Sequence, residues 1–171
     1  MAWVTLSLGS NMDAENKLKS CLDMLLLEFG DLSLSTVFES EAVGFEGDNF
    51  LNMVVGMNTE MPLDELSAFL KAVEEKHGRD RTQPKFSSRS LDIDILTYDN
   101  KAGNFNGIRL PRPEITENAF VLWPLSQVSA KQKHAELGHS FAALWDNYDK
   151  EKQKLWPVDF QWHGRFISRA D

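Results

Sequence analysis

Cysteine is all but absent from this 171-residue chain: Cys21 stands alone. No disulfide framework and no cysteine zinc site can form within one chain. The four histidines show no HExxH spacing, so zinc-hydrolase chemistry is not expected. No apolar run approaches the length of a membrane helix. The start, Met1-Ala2-Trp3-Val4, lacks the basic residues and long apolar stretch of a secretory signal. A soluble cytoplasmic monomer is therefore expected. A basic surplus is missing too: 18 Lys and Arg against 26 Asp and Glu leave a net charge of -8. That speaks against duplex nucleic acid as a partner, because a basic face is needed for the phosphates. It leaves room for a nucleotide substrate, since a divalent ion and a few arginines reverse the sign inside a cleft. No GxxxxGK[ST] loop is present.

What is present is ordinary for a globular protein, with 42% hydrophobic and 26% charged residues. The length suits one domain, with a core over residues 1–125 and a helix and tail over 126–171. Val4, Leu6 and Leu8 alternate with Trp3, Thr5 and Ser7, the period of a half-buried strand, which Gly9-Ser10-Asn11 is expected to break. From about Asp13 to Phe29, Leu18, Cys21, Leu22, Leu25, Leu26 and Phe29 fall on one helical face, and Gly30 ends the run. A second strand is expected over residues 32–37 and a third over Phe50 to Met57. A second helix opens at Pro62, carries Asp64 and Glu65 at its positive end, and stops at Gly78. A fourth strand runs from Leu91 to Tyr98, and a late helix is expected over His139 to Asp149. The order strand, helix, strand, strand, helix, strand predicts an α+β, ferredoxin-like βαββαβ core with a C-terminal extension.

Asp92 and Asp94 carry the clearest chemical signal. They are two residues apart on the fourth strand, hence on one face and roughly 6.6 Å apart. Aspartate is depleted in strands, and two on one face repel. Hard divalent cations such as Mg²⁺ relieve that repulsion, although a solvated edge face is the plainer alternative. Arg79, Arg81, Lys85 and Arg89 cluster just before this strand and suit a polyphosphate. Glu74 falls on the buried stripe of the second helix, where a glutamate needs a partner. Phe50 and Asn52 share a strand face, an aromatic plane beside an amide, as a flat heterocycle with donors and acceptors requires.

Taken together, Leu8-Gly9-Ser10-Asn11, Phe50-Leu51-Asn52, Glu74 with Gly78-Arg79-Asp80-Arg81, Arg89-Ser90-Leu91-Asp92-Ile93-Asp94 and Phe120-Val121-Leu122-Trp123-Pro124-Leu125 resemble the 6-hydroxymethyl-7,8-dihydropterin pyrophosphokinase family of folate biosynthesis. The resemblance implies ATP and a reduced pterin as substrates. It makes Asp92 and Asp94 ligands of two Mg²⁺ ions, and Arg79 and Arg89 catalytic contacts to the phosphates. On the ATP side it implies Glu74, Arg81, Lys85, Arg89 and Ile95. On the pterin side it implies Ser40, Val43, Phe50, Asn52 and Phe120, with Phe86 in a closing loop. Departures accompany it. The family's Leu-Pro-His-Pro is Leu110-Pro111-Arg112-Pro113 here, Glu114 stands where a base is common, and Asn118 replaces an ATP-contacting arginine. Arg109 or Arg112 is expected to supply the missing charge. The alternative is a pterin-binding paralogue with weakened ATP-dependent activity.

Overall fold

The structure is a computed structural model and describes residues 1–41, 48–78 and 91–170. Its centre is an antiparallel sheet. Strand β1 (Ala2–Ser10) lies between β4 (Phe50–Thr59) and β5 (Asp92–Tyr98), while β2 (Ser33–Leu34) and β3 (Phe38–Ser40) both pair with β4. Helices α1 (Ala14–Phe29) and α2 (Leu63–Lys76) complete the expected ferredoxin-like order.

Alternation decides which residues face the helices. Val4, Leu6 and Leu8 of β1, Met53, Val55 and Met57 of β4, and Ile93 and Ile95 of β5 join Leu18, Leu22, Leu66 and Leu70 in one buried cluster. Each such side chain withdrawn from water contributes about 1.5–3 kcal/mol. Cys21 belongs to this core; burial, then the charge of Glu74, push its thiol up to about 12. His77 ties the two helices together, one ring nitrogen 2.7 Å from the Val73 carbonyl of α2 and the other 2.8 Å from Ser20 Oγ of α1.

The other sheet face is half covered. After the hairpin β6 (Gly103–Phe105) and β7 (Ile108–Leu110) and the short α3 (Glu114–Glu117), helix α4 (Ala119–Val128) lays Val121, Leu122 and Leu125 on Val54 and Leu96. Helix α5 (Phe141–Asp146) adds Phe141 to this second cluster. Gly56 permits the close approach: a Cβ there would lie 2.6 Å from the Trp3 ring and 2.7 Å from Val128.

Several expectations are corrected. Gly9 and Ser10 do not break β1; both pair with β4, at Asn52 and Leu51. The second strand is split, because Ser35 Oγ takes the Val54 N–H at 2.8 Å and the Val37 N–H turns instead to Ser168 Oγ. The late helix is six residues long, opened by Ser140, whose Oγ accepts the Ala143 N–H. The tail, for which no strand was expected, forms β8 (Leu155–Pro157) on the β3 edge and a hairpin of β9 (Phe160–Trp162) and β10 (Arg165–Ser168). Among the described residues no helix is long and apolar enough to cross a membrane.

Candidate active site

Register places the chemistry. Gly9 is opposite Asn52 on one side and Asp92 on the other, and Ser7 is likewise between Val54 and Asp94. Residues opposed across an antiparallel ladder project to the same face. Asn52, Gly9 and Asp92 therefore form one row across three strands, its ends about 10 Å apart at two strand spacings. Gly9 contributes no side chain, so the middle of the row is open floor. A Cβ on Gly9 would stand 3.2 Å from Asn52 Oδ1. This role was missed in the sequence, where Gly9 reads as a turn residue. Its parity with Thr5 and Ser7 was the available signal.

At one end of the row is a neutral wall. Asn52 is buried and donates from Nδ2 to Ser40 Oγ at 2.7 Å. Ser40 is opposite Phe50 in the ladder. Phe120, near the start of α4, is half-buried and packs on the Val54 cluster. Asn11, also buried, donates from Nδ2 to the Asp48 carbonyl at 3.3 Å, anchoring the segment that precedes β4.

At the other end lies a cleft of about 230 Å³ between α2, β5 and the β6–β7 hairpin, lined by Glu74, Asp92, Asp94, Ile95, Ile108 and Arg112 among others. Glu74 is buried and accepts the Ile93 N–H at 2.7 Å, which fixes α2 against the strand bearing the aspartates. Burial raises the Asp94 carboxyl to about 6; Arg112 opposes the shift, and Asp92, Glu74 and Glu114 add to it. The Arg112 guanidinium lies 3.4 Å from Asp94 and 3.0 Å from Glu114. Its Nε is buried and, among the described residues, lacks a hydrogen-bond partner. Arg109 does not line the cleft; its Nη2 reaches both Glu136 oxygens at 3.1 Å.

The chain matches the family described as 7,8-dihydro-6-hydroxymethylpterin-pyrophosphokinase (HPPK) over residues 5–130. The chain belongs to the HPPK family. It is 35% identical over 137 residues to a 2-amino-4-hydroxy-6-hydroxymethyldihydropteridine pyrophosphokinase of Aquifex aeolicus, covering 78% of this chain and 84% of the relative. It is 36% identical over 135 residues to the enzyme of that name from Porphyromonas gingivalis, covering 75% and 92%. A Plasmodium falciparum HPPK-DHPS crystal structure with pteroate superposes with a TM-score of 0.74 at 14% identity, over 98% of this chain and 47% of the other. The chain thus spans about half of that longer protein, and the likeness concerns the fold.

The HPPK match takes in both ends of the Asn52–Gly9–Asp92 row and the cleft beside it. The structure brings Glu74, Asp92, Asp94, Ile95 and Arg112 together in the cleft, and Ser40 and Asn52 together at the neutral end. Arg79, Arg81, Lys85, Phe86, Arg89 and Val43 lie outside the described residues. The donor set suits magnesium: two carboxylates on one strand face, hard oxygen ligands held against further negative charge. Among the described residues no group of three or more His, Cys, Asp or Glu side chains converges as a closed metal cage. An ion held here would therefore complete its shell from phosphate and water, as magnesium commonly does.

Proposed function

We propose that the cleft and the neutral wall are the two halves of one catalytic site, where a pyrophosphoryl group passes from ATP to 6-hydroxymethyl-7,8-dihydropterin in folate biosynthesis. The hydroxymethyl oxygen forms a bond to the β-phosphorus of ATP, and the bond from that phosphorus to the α–β bridging oxygen breaks. AMP leaves with the bridging oxygen. The alcohol proton passes to solvent, and the products are the pterin diphosphate and AMP.

The observation that carries this reading is the Asn52–Gly9–Asp92 row. A neutral amide wall and a carboxylate pair share one sheet face, with a side-chain-free residue between them. Asn52 presents an amide to the edge of the pterin, its own Nδ2 fixed by Ser40, while Phe50 and Phe120 supply aromatic surface. Asp92 and Asp94 would hold magnesium, two ions with ATP, whose positive charge would offset that of the phosphates. Glu74 keeps the aspartate strand in place through the Ile93 N–H. Arg112, placed by Asp94 and Glu114 beside the cleft, offers its planar fork to a phosphate oxygen. In this role it supplies the charge absent at Asn118. Arg79, Arg81, Lys85 and Arg89 add further phosphate contacts, and Val43 adds to the pterin wall. Catalysis is positioning plus charge neutralisation.

Incubation of the chain with Mg-ATP and 6-hydroxymethyl-7,8-dihydropterin is expected to give equimolar AMP and pterin diphosphate by chromatography. Absence of AMP across wide ranges of enzyme and both substrates would overturn the reading.

A further inference from the structure

The family match ends at residue 130, yet the following segment returns to both sides of the neutral wall. On one side, β8 pairs with β3 so that Leu155 is opposite Ser40 and Pro157 opposite Phe38. Ser40 is the residue whose Oγ holds the Asn52 amide. On the other side, Gln153 reaches the start of α4. Its Oε1 accepts the Ala119 N–H at 2.7 Å, and its Nε2 donates to Asn118 Oδ1 at 2.7 Å. Asn118 is the N-cap of α4, but its own side chain caps none of that helix's amides. A cap residue normally satisfies one of those orphan donors. Here the first amide of the helix is satisfied from 34 residues away, by a side chain whose donor and acceptor are both used.

Gln153 is two positions before Leu155, and two residues of extended chain span at most about 7 Å. The start of α4, with Phe120 as its second residue, is therefore tethered to the Ser40 strand by one short segment. Tyr148 adds to the tether by donating from its hydroxyl to the Glu117 carbonyl at 2.8 Å. On the carboxylate side, Asp92, Asp94 and Arg112 have no part in these bonds.

We infer that Gln153 is a positioning residue for the pterin: it sets the spacing between Phe120 and the Ser40–Asn52 wall from a part of the chain outside the family match. This rests on the reading that Ser40, Asn52 and Phe120 take the pterin. Asn118 stands where the family has an ATP-contacting arginine but has no charge to give a phosphate, so loss of the tether acts on pterin binding through Phe120 and leaves nucleotide binding and the transfer step in place.

The test uses the 171-residue chain and three variants. Steady-state KM for pterin and for ATP, kcat, the Kd for pterin without ATP, and Tm are measured for each. Gln153→Ala is expected to raise pterin KM and Kd about five- to tenfold, the size of effect one lost hydrogen bond allows. Its kcat and ATP KM stay within about twofold. Gln153→Glu keeps an acceptor for the Ala119 N–H and can accept from a flipped Asn118 amide, with a negative charge favourable at a helix N-terminus. It is expected to restore pterin KM to near the parent value. Should Gln153→Ala not fold, Gln153→Met keeps the bulk, deletes only the hydrogen bonds and carries the same expectation. An unchanged pterin Kd, or pterin KM, ATP KM and kcat all worsening together as Tm falls, overturns the inference. A parent chain that binds no pterin sinks the underlying assignment instead, and the two failures are told apart by that one titration.

Discussion

The two ends of the Asn52–Gly9–Asp92 row are built on opposite principles. At the amide end, polar groups are matched within the protein: Asn52 with Ser40 at 2.7 Å, and the α4 start with Gln153. At the carboxylate end, Asp92, Asp94, Glu74 and Glu114 crowd together, and Arg112 bridges Asp94 to Glu114. In the proposed site the first end is preorganised for a neutral, flat ligand. At the second, neighbouring carboxylates raise the Asp94 carboxyl, and the proposed magnesium would relieve that repulsion. Affinity at the first should respond to small shifts in shape, and at the second to charge.

Asp94→Asn should break this contrast most severely. Activity is expected to fall by about 10²–10³ or more, the scale seen when a preorganised electrostatic contact is removed. Folding stability at pH 8 should nevertheless hold or rise. The sign follows from the raised carboxyl. Between about pH 4, where an ordinary aspartate ionises, and about 6, the folded chain keeps a proton that the unfolded chain has released. Asp94 therefore costs stability increasingly as pH rises through that window, and the asparagine variant escapes the cost. Calorimetric melts at several pH values check it; a large drop in Tm at pH 8 would count against the strained-carboxylate picture.

Gly9→Ala probes the junction between the ends. Its Cβ presses on Asn52 Oδ1 from 3.2 Å. An overpacking cost of about 1–3 kcal/mol would raise pterin KM about fivefold or more, with a smaller effect on ATP KM. Steady-state kinetics against each substrate decides it.

Acidity should sharpen the difference without any mutation. Metal ligands must be ionised, so Mg²⁺-nucleotide affinity is expected to decline as pH falls through about 6. Pterin affinity, which the proposed site rests on an amide and a hydroxyl, should change little over the same range. Paired isothermal titrations at pH 5.5 and 7.5 make the measurement.

The smallest expected effect separates the two arginines. Arg112→Ala should raise ATP KM about tenfold, a lost charge-assisted contact. Arg109→Ala, at an exposed pair with Glu136, should leave ATP KM within about twofold and Tm nearly unchanged. Equal effects would mean that Arg109 leaves Glu136 for the nucleotide.

Much of this was readable from the sequence because it is periodic. The alternation of Val4, Leu6 and Leu8, the helical stripe of Leu18, Cys21, Leu22 and Leu25 with Phe29, and Asp92-Ile93-Asp94 each declare which way side chains point, and the fold obeys them, whereas Leu26, expected on the same helical face, is exposed at its margin. What escaped is what has no period. Strands of three residues such as Leu155–Pro157 carry too few side chains to show alternation, and β8 exists because β3 offers an edge. Gly9 was taken for a turn because glycine usually marks one, whereas here it is needed for an empty position in a ladder. The choice between Arg109 and Arg112 was equally invisible, since it depends on Glu136, 27 residues from Arg109 in the chain.

The tail's short strand also governs how the molecule behaves in concentrated solution. A bare β3 would offer unpaired backbone groups to any extended segment that drifted by, the usual seed of runaway strand addition. Pro157 has no amide proton to lend, and a three-residue rim leaves little template to copy. A chain cut after Asp149 would lose that blunt rim, and light scattering should then record self-association growing with time and concentration.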